Sequence, residues 1–349
     1  MVYACRPGGS SYAPQIPVSY PIPKWLEGQL AWVIGRKPPL GPLGFAARRF
    51  IFGSLYALRT KSGEALVWTR DARIAGWLGI LKRRVVLEVH NPWTKGEARV
   101  VGAAAQLNCM LQIAAISRPV EDQIRKSLGA DVRVTYAPSA VGNPAAFEEA
   151  EARVVAEDLS GAFRVLYVGR SESVGQPKGI ELLAAAAAHP LLHPRVVFVL
   201  VGAQVDDRVL QSRYGSALHG RLVQLPGVSP SDVPALLKGA DVLIAVYSSS
   251  ADRGLTSASP LKVVEYALSG TPIVASRTQN VVEILGEDAA IYFEPDDVDS
   301  LVQALNWTVA NHDSLGGVVQ AAADRARTRT QERRVAKILE DSYIAGETA

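Results

Sequence analysis

From residue 64 onward the chain alternates short apolar runs with amphipathic stretches. The runs at 65–68, 85–89, 111–116 and 132–136 predict strands, and 74–81, 94–107 and 120–128 predict helices between them, the last behind Ser117-Arg118-Pro119. A polar, Ala- and Glu-rich segment, 138–158, reads as a linker carrying a helix. A second series follows, with strands at 163–168, 196–201, 221–225, 240–246, 273–275 and 289–293. Its helices are predicted at 180–188, at 230–238 with Ser229 or Ser231 as cap, and at 298–309 with Asp297 or Asp299 as cap. A charged helical tail covers 315–343. Strictly alternating strands and helices imply parallel sheets covered by helices. In such sheets ligands bind beyond the carboxyl ends of the strands, where Arg70, His90 and Gly169 fall.

One stretch, 259–276, combines a helix start, a helix stop and a buried strand. Ser259 is expected to cap a helix and Pro260 to open it. Gly270 stops it, Pro272 blocks its continuation, and Ile273-Val274-Ala275 forms the strand. Lys262 and Glu265 lie three apart on one face at its N-terminal end, where free backbone N–H groups suit a phosphate. A capped surface helix with one ion pair explains the same residues equally well.

The first 45 residues are dense in Pro and Gly, with a short strand at 1–5 and a glycine pair, Gly8-Gly9, that would let backbone approach a ligand. An apolar and basic helix is expected at 43–58. It suits a membrane surface or the core of a first domain.

Charge sharpens this division. Residues 1–150 hold 19 Lys and Arg against 10 Asp and Glu, a balance of +9. The remaining 18 basic and 24 acidic residues give −6, within a net +3 over 349 residues. A basic first half suits an anionic lipid, a phosphorylated acceptor or nucleic acid, unless the difference is ordinary variation between domains. No apolar run is long enough to span a bilayer, and no export signal is evident. Two cysteines, Cys5 and Cys109, make no disulfide framework, as expected for a reducing cytoplasm. Asp297-Val298-Asp299 has a metal-binding spelling that helix capping explains better, and His189 and His193 are each followed by proline, which bars a regular helical zinc pair. No nucleotide-binding glycine loop of the P-loop or dinucleotide type appears in context.

Three pieces of the second half, in order, resemble a known family: Tyr167-Val168-Gly169-Arg170 with Lys178-Gly179, the run 233–241, and 260–276. They are similar to the donor domain of retaining family-four glycosyltransferases (glycosyl transferases group 1) of GT-B fold, in the variant whose donor-site helix reads S-P-x-K-x-x-E-Y. Thr69-Arg70-Asp71, Glu88-Val89-His90-Asn91 and Ile116-Ser117 extend the resemblance loosely to the first half. The resemblance implies two Rossmann-like, doubly wound parallel-sheet domains facing across a cleft. The expected division is 1–150 as a short, basic acceptor-side domain, 151–328 as the nucleotide-sugar domain, and 329–349 as a helix crossing back.

The implied reaction moves a sugar from a nucleoside-diphosphate sugar to an acceptor hydroxyl with retained anomeric configuration. By that resemblance His90, Arg170 and Lys178 are the catalytic residues, and Gly169, Ser259, Lys262, Glu265 and Val228 bind the donor. Gly8, Gly9 and Arg70 lie on the acceptor side. No cofactor or metal is expected, because fixed cations neutralise the leaving diphosphate. The implied partners are a nucleotide-sugar donor and a lipid-linked or cell-envelope glycan, not nucleic acid. The expected location is cytoplasmic, with the basic half meeting the inner face of the membrane. The chain departs from the family at Ser257, where a glutamate is usual, and in the longer Arg170-to-Lys178 spacing. Two other readings stay open, a sugar-nucleotide epimerase or hydrolase of the same fold and a non-catalytic subunit of a transferase complex.

Overall fold

The structure, a computed structural model, describes residues 2–4, 54, 66–91, 93–107, 111–155, 159, 161–170, 172–173, 176–177, 179–218, 220–248 and 259–343. The expected helix at 43–58, Gly8-Gly9, Lys178 and Ser257 lie outside these residues, apart from Ser54. The chain divides into two compact units. One comprises Met1–Pro138 with Glu332–Ala349, the other Ser139–Gln331.

The first unit carries a five-stranded sheet in the order β1 (Val2–Ala4), β2 (Leu66–Thr69), β3 (Arg84–Val89), β4 (Leu111–Ala115) and β5 (Val134–Tyr136), with every pairing parallel. The alternation of side chains along the strands sorts them by face. Val67, Val85, Leu87, Leu111 and Ile113 pack with Ile74 and Leu78 of α1 (Ala72–Ile80), Val101 and Ala104 of α2 (Lys95–Leu107), and Val120 and Ile124 of α3 (Arg118–Leu128). Trp68, Val86 and Ala114 point the other way, onto Ile338 of the C-terminal helix Gln331–Tyr343. Ser117 caps α3 through Val120 N–H, as its sequence predicts. The capping role of Asp71, whose carboxylate takes the Arg73 and Ile74 N–H groups, is a finding of the structure.

After a short helix α4 (Ala145–Glu149), the second unit builds a six-stranded parallel sheet. Its order is β10 (Leu222–Leu225), β9 (Val196–Val201), β6 (Phe163–Val168), β11 (Val242–Ala245), β12 (Ile273–Ser276) and β13 (Ile291–Phe293). A two-stranded antiparallel ribbon, β7 (Glu172–Ser173) with β8 (Gln176–Pro177), follows β6. The chain leaves β6 toward β9 and β10, then returns to β11 and winds the opposite way. That reversal at β6 and β11 is a topological switch point. Both faces of β9, β11 and β12 are buried, which accounts for the near-continuous apolar residues of these strands. Val165, Tyr167, Phe198 and Ile244 pack on α5 (Ile180–Ala187) and the helix Val298–Asn311. Leu166, Val199, Leu243 and Ile273 pack on Leu236 and Leu237 of Val233–Lys238, Val263 and Val264 of Leu261–Ser269, and Ala322 and Ala326 of Gly316–Arg327.

Several expectations are corrected. The helix predicted from 230 starts at Val233, with Asp232 at the cap position and no side-chain cap. Ser229 and Ser231 instead hydrogen-bond to each other. Asp297, not Asp299, caps the helix at 298, by accepting from Ser300 N–H, and Asp299 pairs with His189 at 3.0 Å. The tail is two helices, Gly316–Arg327 and Gln331–Tyr343. Two short helices, Asp207–Tyr214 and Gln279–Leu285, were not predicted.

Candidate functional site

The second unit gathers polar groups at the switch point. β6 ends at Val168, and Gly169 follows with φ +141, a conformation that side chains rarely adopt. Its N–H donates to Val201 C=O at 2.9 Å, tying the turn to β9. Gly202, with φ +78, continues the pattern after β9. A Cβ there would stand 3.4 Å from both the Gly169 carbonyl and the Gly227 Cα. Three glycines thus bring three strand ends into backbone contact. On the other side, Gly179 caps α5 with φ +73 and lies against Val246, just past β11.

The helix Leu261–Ser269 presents its first turn to this turn of chain. Lys262 Nζ lies 3.7 Å from the centroid of the Tyr167 ring, and a Cβ on Gly169 would meet it at 3.2 Å. Stacking an ammonium on an aromatic face is favourable by about 0.5–2 kcal/mol. Tyr266, about one turn further along the helix, accepts the Val168 N–H on its hydroxyl at 2.9 Å, so the helix grips the last residue of β6. The Tyr167 hydroxyl donates to the Arg170 carbonyl at 3.0 Å and shapes the turn beyond. Burial pushes the phenols of Tyr167, Tyr247 and Tyr266 up, so all three stay neutral. Burial also raises the Glu265 carboxyl, against the lowering pull of Lys262.

Ser259 is a correction. Pro260 occupies the cap position of the helix and makes no side-chain cap bond. The Ser259 hydroxyl instead accepts the Ser139 N–H at 2.9 Å. The helix therefore starts with first-turn N–H groups that its cap side chain does not satisfy. Gly270 closes the helix in the left-handed conformation expected of it, with φ +76. Arg170 and Val228 are exposed, Val228 at 38%.

The first unit has its own polar centre, which sequence reasoning placed only at Arg70 and His90. Its hub is Glu88, a carboxylate on β3 that is 5% exposed. It accepts hydrogen bonds from Trp68 Nε1 at 2.9 Å, Arg70 Nη2 at 3.0 Å and Arg334 Nη1 at 3.2 Å, and pairs closely with His90 Nε2. Burial opposes ionisation of Glu88, but the His90 bond, the charge of Arg334, the charge His90 gains at the low pH where Glu88 would titrate, and the charge of Arg70 outweigh it. The carboxyl is held well below the usual carboxylate range. Burial also lowers the His90 pKa, Glu88 opposes this, and Arg70 and Arg334 add to the lowering, so the imidazole is neutral at pH 7. Arg334 in turn donates from Nε to the Ala137 and Pro138 carbonyls. Among the described residues no group of three or more His, Cys, Asp or Glu is arranged to hold a metal, and no helix is long and apolar enough to cross a membrane.

Residues 162–311 match the family model for glycosyl transferases group 1. Gly169, Arg170, Val228, Ser259, Lys262 and Glu265 all lie inside that match, whereas Glu88, His90 and Arg334 lie outside it. The fold is that of solved GT-B glycosyltransferases. Alpha,alpha-trehalose 6-phosphate synthase from Burkholderia multivorans superposes with a TM-score of 0.67 at 15% identity, over 93% of this chain and 79% of that one. A glycosyltransferase from Rickettsia africae gives 0.66 at 14% identity, over 93% and 88%. Alr3699/HepE from Anabaena, solved in complex with UDP-glucose, gives 0.61 at 17% identity, over 93% and 87%. No protein of curated function matches the chain in sequence.

Proposed function

We propose that this protein is a retaining, metal-independent glycosyltransferase that moves a hexose from a nucleoside-diphosphate sugar to an acceptor hydroxyl. The observation that carries the reading is the set of groups converging on the switch point within the matched segment: the Gly169 turn, Lys262 on Tyr167, Glu265 and the N-terminal turn of the helix at Pro260. A diphosphate leaving group develops negative charge as the anomeric carbon–oxygen bond breaks. Helix N–H groups and lysine or arginine cations fixed nearby stabilise that charge without a metal. Lys262, Arg170 and Lys178 take this role, with Gly169 letting the backbone approach the phosphates. Glu265 accepts hydrogen bonds from sugar hydroxyls of the nucleoside, with Ser259 and Val228 beside the donor. His90 meets the transferred sugar, and Gly8, Gly9 and Arg70 serve the acceptor.

The solved Anabaena neighbour binds UDP and UDP-glucose, which makes uridine nucleotides the first donors to try. The acceptor proposed is a lipid-linked or cell-envelope glycan at the cytoplasmic membrane face, on the strength of the +9 balance in residues 1–150. The decisive assay follows nucleoside diphosphate release from UDP-, GDP- and ADP-sugars with and without a lipid-linked glycan pool. Release that needs acceptor supports transfer. Equal release without acceptor indicates a hydrolase or epimerase, and no donor binding at all removes the enzyme reading.

A further inference from the structure

The Glu88 centre does more than hold the first unit together. Its carboxylate is buried and ionised, yet Arg70 and Arg334 already supply two cations, enough for a structural role. The third partner, His90 Nε2, is not needed for charge balance, and its ring follows directly from β3, the strand that also bears Glu88. A carboxylate accepts only from a protonated nitrogen. The proton of the neutral imidazole is therefore on Nε2, and Nδ1 is left as an acceptor.

We propose that Glu88 is a positioning residue that locks His90 into the Nε2–H tautomer and presents Nδ1 as a hydrogen-bond acceptor to a substrate hydroxyl. The inference rests on the glycosyltransferase reading for the identity of that hydroxyl, a sugar or acceptor alcohol. Which nitrogen of a histidine carries the proton is set by the bond the other makes, and a wrong tautomer leaves geometry intact while removing function. Among the described residues, four side chains bond the carboxylate. Trp68 Nε1 comes from β2, Arg70 from the turn after it, His90 from the end of β3, and Arg334 from the C-terminal helix. The C-terminal helix thereby bears on the tautomer, because Arg334 occupies the carboxylate oxygen that His90 does not use.

The test begins with the intact protein. With histidines labelled in nitrogen-15, a long-range proton–nitrogen correlation at pH 7 distinguishes the tautomers, and His90→Gln assigns the His90 signals by their loss. The expected pattern is a single Nε2-protonated ring. An Nδ1-protonated ring, an imidazolium, or rapid averaging between tautomers overturns the proposal. In Glu88→Gln the expected result is a mixed tautomer, a kcat about 100-fold lower and an unchanged donor KM, the size of effect typical for one acid–base group. A kcat equal to wild type in a folded Glu88→Gln protein also overturns it. Where Glu88→Gln does not fold, the wild-type spectrum alone decides. Where wild type turns over no donor, the glycosyltransferase reading fails, and the tautomer is still settled by the spectrum.

Discussion

Lys262 Nζ lies 3.7 Å from the centroid of the Tyr167 ring, directly over the turn at Gly169. Sequence separates these residues by nearly a hundred positions. The fold joins them because β6 ends under the first turn of the helix Leu261–Ser269, and Tyr266 hydrogen-bonds the last residue of that strand. The lysine is thus pre-placed beside a backbone turn that has no side chain to obstruct an approaching ligand.

Gly169→Ala is expected to cost about 1–3 kcal/mol, because alanine at φ +141 is strained whatever room it has. The added methyl also meets Lys262 Nζ, which is the mobile end of its chain, so strain and not crowding dominates. Thermal melting should fall, and a diphosphate should no longer raise it. An unchanged melting temperature would show that the turn tolerates a side chain.

Tyr266→Phe removes the acceptor for the Val168 N–H. A buried donor left unpaired costs about 1–3 kcal/mol. Denaturant unfolding should show the loss, with donor affinity falling as the β6 end loosens. Loss of stability with full donor affinity would separate the tyrosine from the site.

Glu265 links stability to pH. Its folded-state pKa is raised, first by burial, with Lys262 opposing. Between the unfolded and folded pKa values the native state binds more protons, so stability falls as pH rises through that window. Glu265→Gln should therefore melt higher than wild type at pH 7.5, and the gain should shrink as pH falls toward 4.5. Donor binding should weaken at the same time. A variant that is less stable at pH 7.5 would contradict the direction of the shift.

Ile338→Ala tests how the C-terminal helix is held. Ile338 is fully buried against Trp68, Val86, Ala114 and Ala137. Truncation should cost about 2–5 kcal/mol and expose the helix to hydrogen exchange ahead of the sheet. Exchange that is unchanged along Gln331–Tyr343 would mean that its polar contacts, such as Arg334 with Glu88 and Asp341 with Thr135, hold it without Ile338.

Much of this was legible in the sequence, and the exceptions have physical causes. Buried parallel strands announce themselves as apolar runs, and Gly270 and Ser117 close or open their helices through local backbone chemistry. The helix Asp207–Tyr214 buries only Leu210, so it carries almost no periodic signal. Ser259 has the local spelling of a cap, but its hydroxyl is taken by a backbone group 120 residues away, which no local rule sees. Glu88 stands mid-strand, where a charge looks misplaced. Its partners Arg70 and Arg334 are 18 and 246 residues distant, and only the folded sheet and the returning helix bring them together. His90 and Arg70 stand beyond strand ends where a ligand binds, but nothing local in the sequence marks Glu88 as the carboxylate that both of them bond.

The most direct test of the central claim is calorimetric titration of UDP, GDP and ADP into wild type, Arg170→Ala and Lys262→Met, with EDTA present throughout. The account predicts that wild type binds one of these diphosphates without metal. Each variant should bind it about 10- to 100-fold more weakly, as expected for losing a charge-assisted hydrogen bond to phosphate. Equal affinity in wild type and Lys262→Met, or binding by wild type only when a divalent metal is added, would contradict it.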